Sequence, residues 1–210
     1  MLRENEMEER IEKLIENFQR NSFECIYLEN KDAVIEYLNQ LIEDKKSVSV
    51  GGSTTLFQLN IIEYLRSRDL KFYDRYEPGL TGEEIQEVFR KSFYCDFYIT
   101  SSNAILEAGE LYNVDSNGNR VAAMLFGPKE VIVLAGINKI VPDLDSAIKR
   151  VKTIASVSNT KRLNLKTPCT FTGKCADCNS PQRICKDYVL IRKSNNKRIK
   201  VILINDTLGF

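Results

Sequence analysis

The sequence predicts an α/β protein with a parallel-rich sheet between helices, and three observations predict it. From residue 23 to residue 100, short β-rich runs alternate with stretches whose apolar residues recur at helical spacing, which is the pattern of successive βαβ units. Val131-Ile132-Val133-Leu134-Ala135-Gly136 is apolar throughout, as a strand covered on both faces must be. Ser47-Val48-Ser49-Val50 runs into Gly51-Gly52-Ser53-Thr54 and then into Leu56, Leu59, Ile62 and Leu65, so a strand, a tight glycine turn and a helix follow one another.

Residues 4–20 place Met7, Ile11, Leu14, Ile15 and Phe18 on one face of an amphipathic helix, a face suited to packing on the chain's own sheet or to forming a homodimer. Residues 23–28 read as a short strand with Cys25 in the core. Asn30 or Asp32 caps the next helix, which buries Ala33, Val34, Tyr37, Leu38, Leu41 and Ile42. Past the glycine junction, residues 70–73 form a third strand and residues 74–80 a loop. Thr81 then caps a helix that has Glu84 at the capping-box position and turns Ile85, Val88 and Phe89 inward.

Residues 95–100 are the following strand, with Cys95 as core or site lining. Residues 101–110 read as a helical turn beyond its carboxyl end, and residues 111–114 and 120–125 as a hairpin around Asn117-Gly118. Pro142 opens a helix with Leu144, Ile148, Val151 and Ile154 inside. Residues 156–168 read as loop, and residues 188–191 and 200–204 as two strands joined by a polar segment. The chain thus divides into an N-terminal helix (1–22), an α/β core (23–155), and a cysteine module with closing strands of the same domain (156–210).

Thirty basic residues nearly balance 29 acidic ones, and the net charge of +1 gives no field to steer the chain towards nucleic acid or a membrane. The basic run from Arg192 to Lys200 is local and reads as a solvated hairpin, so nucleic acid is not an expected partner. No apolar run approaches the roughly 20 residues of a membrane span, and the charged start Met1-Leu2-Arg3-Glu4 lacks a leader's apolar region, so the expected location is the cytoplasm. Histidine is absent, which excludes Ser-His and Cys-His nucleophiles and histidine-bound zinc and leaves acid–base work to Glu, Asp, Lys, Tyr or Cys.

Two stretches carry candidate chemistry. In the first, Gly51, Gly52, Ser53 and Thr54 expose backbone N–H groups at a helix start, where a phosphate or carboxylate can approach; the same residues also make an ordinary capped turn, Ser53 or Thr54 being the cap. The second is Cys169-x5-Cys175-x2-Cys178-x6-Cys185, a C-x-x-C turn with two outlying cysteines. In a cytosolic chain such a set points to a metal site. One C-x-x-C with two outliers suits a [4Fe–4S] cluster better than zinc, whose four-cysteine sites usually show two such pairs. Zinc remains the alternative.

As a set, Ser49-Val50-Gly51-Gly52-Ser53-Thr54-Thr55, Glu107-Ala108-Gly109-Glu110-Leu111, Gly127-Pro128-Lys129-Glu130-Val131-Ile132-Val133-Leu134-Ala135-Gly136, Asn159-Thr160-Lys161-Arg162-Leu163 and Thr172-Gly173-Lys174-Cys175-x-Asp177-Cys178 resemble the LUD-domain proteins, in the lactate utilisation protein C or YkgG-like branch. The resemblance implies a fold like the NagB/RpiA/CoA-transferase group and a setting in L-lactate oxidation beside iron–sulfur partner subunits. It also implies that the glycine loop holds an anionic substrate, with Glu107 as the catalytic carboxylate. Lys161 and Arg162 are candidates to pair with that anion.

Two functions follow as expectations. One is an enzyme, or a subunit of one, oxidoreductase-associated or CoA-transferase/isomerase-like, acting on a small anionic metabolite such as L-lactate or another hydroxy acid, a sugar phosphate or a CoA ester, with a redox cluster on the four cysteines. The other is a non-catalytic metabolite-binding or assembly protein with a structural zinc.

Overall fold

The computed structural model describes residues 4–210. Helix α1 (Glu4–Arg20) leads into β1 (Glu24–Leu28), α2 (Ala33–Leu41) and β2 (Ser47–Val50). Two short helices, α3 (Thr54–Gln58) and α4 (Ile61–Ser67), precede β3 (Lys71–Tyr73), and α5 (Gly82–Lys91) precedes β4 (Phe97–Thr100). Next come β5 (Ala104–Leu106), β6 (Glu110–Asp115), α6 (Asn119–Leu125), β7 (Glu130–Gly136) and β8 (Ile140–Val141). The chain ends with α7 (Leu144–Arg150), α8 (Ser156–Arg162), α9 (Pro168–Thr172), β9 (Asp187–Ile191) and β10 (Ile199–Ile204).

Six strands form a fully parallel sheet in the order β1-β10-β7-β4-β2-β3. The alternation of β7 explains its apolar sequence. Val131, Val133 and Ala135 pack with Ile11, Leu14 and Phe18 of α1 on one face, while Ile132 and Leu134 pack with Val34, Leu38, Leu56 and Ile62 of α2, α3 and α4 on the other. The apolar face of α1 is thus spent on the chain's own sheet. Four strands make a second sheet, β8-β5-β6-β9, whose Leu106 and Tyr112 pack against Ala147 and Val151. Among the described residues no helix is long and apolar enough to cross a membrane.

Thr81 forms the expected capping box with Glu84. At α2 the cap is Asn30, whose Oδ1 accepts from the N–H groups of Asp32 and Ala33. Cys25 and Cys95 both lie in the core, where burial pushes each thiol up to about 12.

Several local expectations are corrected. Residues 101–110 contain strand β5 and a turn at Gly109 (φ 74°), because Ile105 and Leu106 pair with β6 and β8. Residues 119–125 form α6 rather than a hairpin strand, since Gly118 in the left-handed region starts a helix that buries Val121, Ala123 and Met124. Residues 156–162 are helical: one π turn (Val151–Ala155) carries α7 on into α8, so the helix is inherited from its predecessor and not signalled by its own polar sequence. Leu144 and Ile154 of this rod are exposed, and Ala147 and Val151 do the packing. Finally, β9 and β10 do not pair. β9 joins the second sheet, and β10 sits inside the first between β1 and β7.

Candidate functional site

Five strand ends meet at one cavity. β2 leads into Gly52, Ser53, Thr54 and Thr55; β3 into Arg75 and Tyr76; β4 into Ser101, Ser102 and Asn103; β7 into Lys139; and β10 into the tail ending at Phe210. These residues line about 360 Å³ at the carboxyl edge of the parallel sheet. The chain leaves β2 for β3 on one side and β4 for β7 on the other, so the cavity lies where the winding reverses. Open α/β sheets place their ligands at such a point.

The two glycines differ in their reasons. A Cβ on Gly51 would lie 2.5 Å from Thr100 Oγ1 and 3.0 Å from the Tyr98 hydroxyl, so close packing on β4 sets that residue, and it does not line the cavity. A Cβ on Gly52 would stand 3.3 Å from an Arg75 Nη1, so this glycine keeps room beside a cation. Ser53 is at the N-cap but makes no side-chain cap bond. Asn60 in the left-handed region (φ 53°) ends α3 after five residues, where the apolar spacing had suggested one longer helix. A helix that short has little dipole to offer, and the charge of the site comes from side chains.

Arg75, Arg120, Lys139 and Arg162 line the cavity, against Asp115 as the one acidic side chain among the described lining residues. Arg120 is buried. Its Nη1 donates to Ser101 O (3.1 Å) and Asn113 Oδ1 (2.6 Å), its Nη2 to Asn103 Oδ1 (3.0 Å) and Val114 O (3.0 Å), and its Nε lies 3.6 Å from Asp115 Oδ2. Lys139, 2% exposed, donates to Ser101 Oγ (2.7 Å) and Thr55 Oγ1 (2.9 Å). Burial, and then the neighbouring charges of Arg150 and Arg120, pull its pKa down to about 7.

Buried Arg150 donates to Asn103 O (2.6 Å) and Asn138 O (3.4 Å). Arg75 stacks on Phe89 and Tyr76, 4.4 and 5.3 Å from the ring centres, and its buried Nε has no acceptor among the described residues. Of the buried cations Arg120, Lys139 and Arg150, Arg120 alone has a carboxylate within 4 Å among the described residues. Buried charge is costly unless it is paired, so Lys139 on the wall bears that cost without an acidic side chain beside it.

A smaller cavity adjoins the first, lined by Cys169, Cys175, Cys178 and Cys185. Ser156 and Ile184 border both. Cys185 Sγ donates to Ser156 Oγ at 3.1 Å, and Cys169 Sγ lies 3.2 Å from Thr167 Oγ1. The Asp177 N–H donates to Cys175 Sγ at 3.4 Å, the turn geometry of a C-x-x-C. Arg183 ties the loop together by donating to the carbonyls of Cys178 (2.5 Å) and Cys185 (2.7 Å) and to Asp177 Oδ1 (2.8 Å). Among the described residues, no three Cys, Asp or Glu side chains are grouped so as to hold a metal ion. The four cysteines of the expected metal-binding segment thus line one small cavity, and no metal-binding group is formed there among the described residues.

The other sequence candidates divide. Ser53, Thr54 and Arg162 line the cavity with Gly52, while Lys161 does not. Glu107 sits in the β5–β6 turn, where its Oε1 accepts from Arg10 Nε (2.6 Å) and its carbonyl accepts from Asn17 Nδ2 (2.7 Å). Its place is at the α1 contact, off the cavity wall. Arg75, Arg120 and Lys139 were not picked out from the sequence. Lys139 had a signal, standing three residues past the end of the most apolar strand, whereas Arg120 lay in a segment read as a hairpin.

The model of the LUD domain family matches residues 11–204. The crystal structure of a DUF162 family protein from Deinococcus radiodurans superposes with a TM-score of 0.55 at 11% identity, over 94% of this chain and 97% of that one, a likeness of fold. A partial alignment with eIF2B beta from Chaetomium thermophilum covers 55% of this chain and 44% of that one, at 15% identity and a TM-score of 0.37. No curated protein matches the sequence significantly.

Proposed function

The chain belongs to the LUD-domain family, and we propose that it binds a small anionic metabolite at the carboxyl edge of its parallel sheet, next to an iron–sulfur cluster held by its four cysteines. The observation that carries this reading is the charge of the cavity wall: Lys139 is buried with no acidic side chain within 4 Å among the described residues, and Arg75 keeps an unpaired Nε. A carboxylate or phosphate would supply the missing counter-charge. The hydroxyls of Ser53, Ser101 and Ser102 on the same wall suit the polar substituent of a hydroxy acid, and L-lactate is the first such anion to test.

The cysteine spacing, one C-x-x-C with two outliers, favours a cluster over a lone zinc. Four sulfurs about 2.3 Å from one zinc stand about 3.8 Å apart, and the thiols here are not gathered into a single-ion group. A [4Fe–4S] cluster spreads its thiolates over separate irons, which suits four cysteines around one shared apolar space. Cys169, Cys175, Cys178 and Cys185 would hold it, and when bound it supplies one-electron chemistry. Ser156 and Ile184 border both cavities.

Protein purified without oxygen tests both halves. Iron with inorganic sulfide and a visible band that bleaches on reduction is expected; zinc and a featureless spectrum would leave a structural metal instead. A small anion at a hundredfold excess over its dissociation constant should stabilise the fold by about 2.7 kcal/mol, a rise of roughly 5–10 °C in melting temperature. No shift with any hydroxy acid, oxo acid or phosphate would sink the anion half.

A further inference from the structure

Building on the anion-site reading, we infer that Lys139 is a reacting amine, and that the cavity takes an anion bearing a carbonyl, a 2-oxo acid, which it holds as a Schiff base. Lys139 differs from the other buried cations in its partners. Arg120 and Arg150 are tied to backbone carbonyls and to Asn side chains and serve to hold loops. The Nζ of Lys139 meets only the hydroxyls of Thr55 and Ser101, each of which donates as readily as it accepts. These partners therefore accommodate a neutral amine as well as an ammonium. The residue lines the cavity, and among the described residues no acidic side chain lies within 4 Å of its Nζ.

Two guanidiniums beside a desolvated lysine disfavour its protonation, as in enzymes that activate a lysine with a neighbouring cation. With a pKa of about 7, half of the amine is neutral at pH 7, whereas roughly a thousandth or less of an ordinary lysine is. Arg75 and Arg162, which line the same cavity, attract the carboxylate of the incoming acid, which brings an adjacent carbonyl carbon towards Nζ.

The step balances without an oxidant. The Nζ lone pair adds to the carbonyl carbon, the carbonyl oxygen takes up a proton to give a carbinolamine, and loss of water leaves the C=N bond. Ser101 and Thr55, in contact with Nζ, are placed to pass the protons.

The test is reductive trapping with pyruvate as the probe. The full-length protein is incubated with pyruvate and cyanoborohydride, weighed intact, and mapped by peptide mass spectrometry. One 1-carboxyethyl group on Lys139 is expected, formed at least about a hundredfold faster than on surface lysines such as Lys193, the pace that the larger neutral fraction allows. The K139R protein keeps the charge and should take up none at that position. Titration calorimetry with pyruvate in the absence of reductant separates the outcomes. Pyruvate binding without an adduct on Lys139 overturns the amine's role and leaves the anion site standing; neither binding nor adduct overturns both. Because the adduct is mapped on the unmodified sequence, misfolding of the variant cannot hide the answer.

Discussion

Ser101 Oγ accepts a 2.7 Å hydrogen bond from Lys139 Nζ, joining the carboxyl end of β4 to the segment after β7 across the floor of the cavity. The contact brings a buried amine to the place where two adjacent parallel strands end and the winding reverses. A group there has access to a ligand and little access to water.

That burial has a cost that pH should expose. The folded-state pKa of Lys139, about 7, lies below the unfolded value near 10.4, so between these limits the unfolded chain binds the extra proton and stability rises with pH. Below pH 7 the fold carries the whole cost of the buried ammonium. K139M, similar in length and uncharged, should make the ligand-free protein more stable at pH 6 by about 1–3 kcal/mol, with the gain shrinking towards pH 9. Thermal melts across that range are the check. A variant less stable than wild type at pH 6 would show that the hydroxyl contacts of Lys139 outweigh its desolvation.

The glycine pair separates packing from binding. G51A puts a methyl 2.5 Å from Thr100 Oγ1, in the strand-to-strand contact itself, and should destabilise the fold by about 1–3 kcal/mol. G52A meets only the end of the flexible Arg75 side chain at 3.3 Å. It should fold with nearly wild-type stability and bind the anion roughly tenfold more weakly, because Arg75 must move. Denaturant unfolding and ligand titration on the two variants make the comparison, and equal losses of stability would contradict it.

Glu107 provides a contrast. Its carboxylate pairs with Arg10 at 2.6 Å, with side chains 41% and 27% exposed, and a pair this wet is worth about 0.5 kcal/mol. E107Q should cost about that much stability and change anion affinity less than about twofold, since the residue lies off the cavity wall. A large loss of affinity in the titration would return Glu107 to the site.

Much of the fold was legible because periodicity reports burial. The alternating faces of β7, the inward stripe of α1 and the Thr81 capping box are local patterns with local causes. The glycine loop could also be read, since tight turns are written in adjacent residues; the cysteine spacing pointed to one place in the fold, and the four do line one small cavity. What stayed hidden depends on distant partners. β10 looks like a closing strand until its place between β1 and β7 is seen, and α8 is a helix only because α7 runs into it. The cations of the cavity come from segments after β3, after β7 and within α6, and nothing in any one segment shows that they face one another.

The most direct measurement is titration calorimetry of protein purified without oxygen, using L-lactate and pyruvate alongside their uncharged amides. At least one of the acids should bind at a single site, its amide should not, and K139M should weaken binding at least about tenfold through loss of a buried charge contact. Binding of acid and amide alike, or of neither acid, would contradict the claim that the uncompensated cations of this cavity exist to hold a small anion.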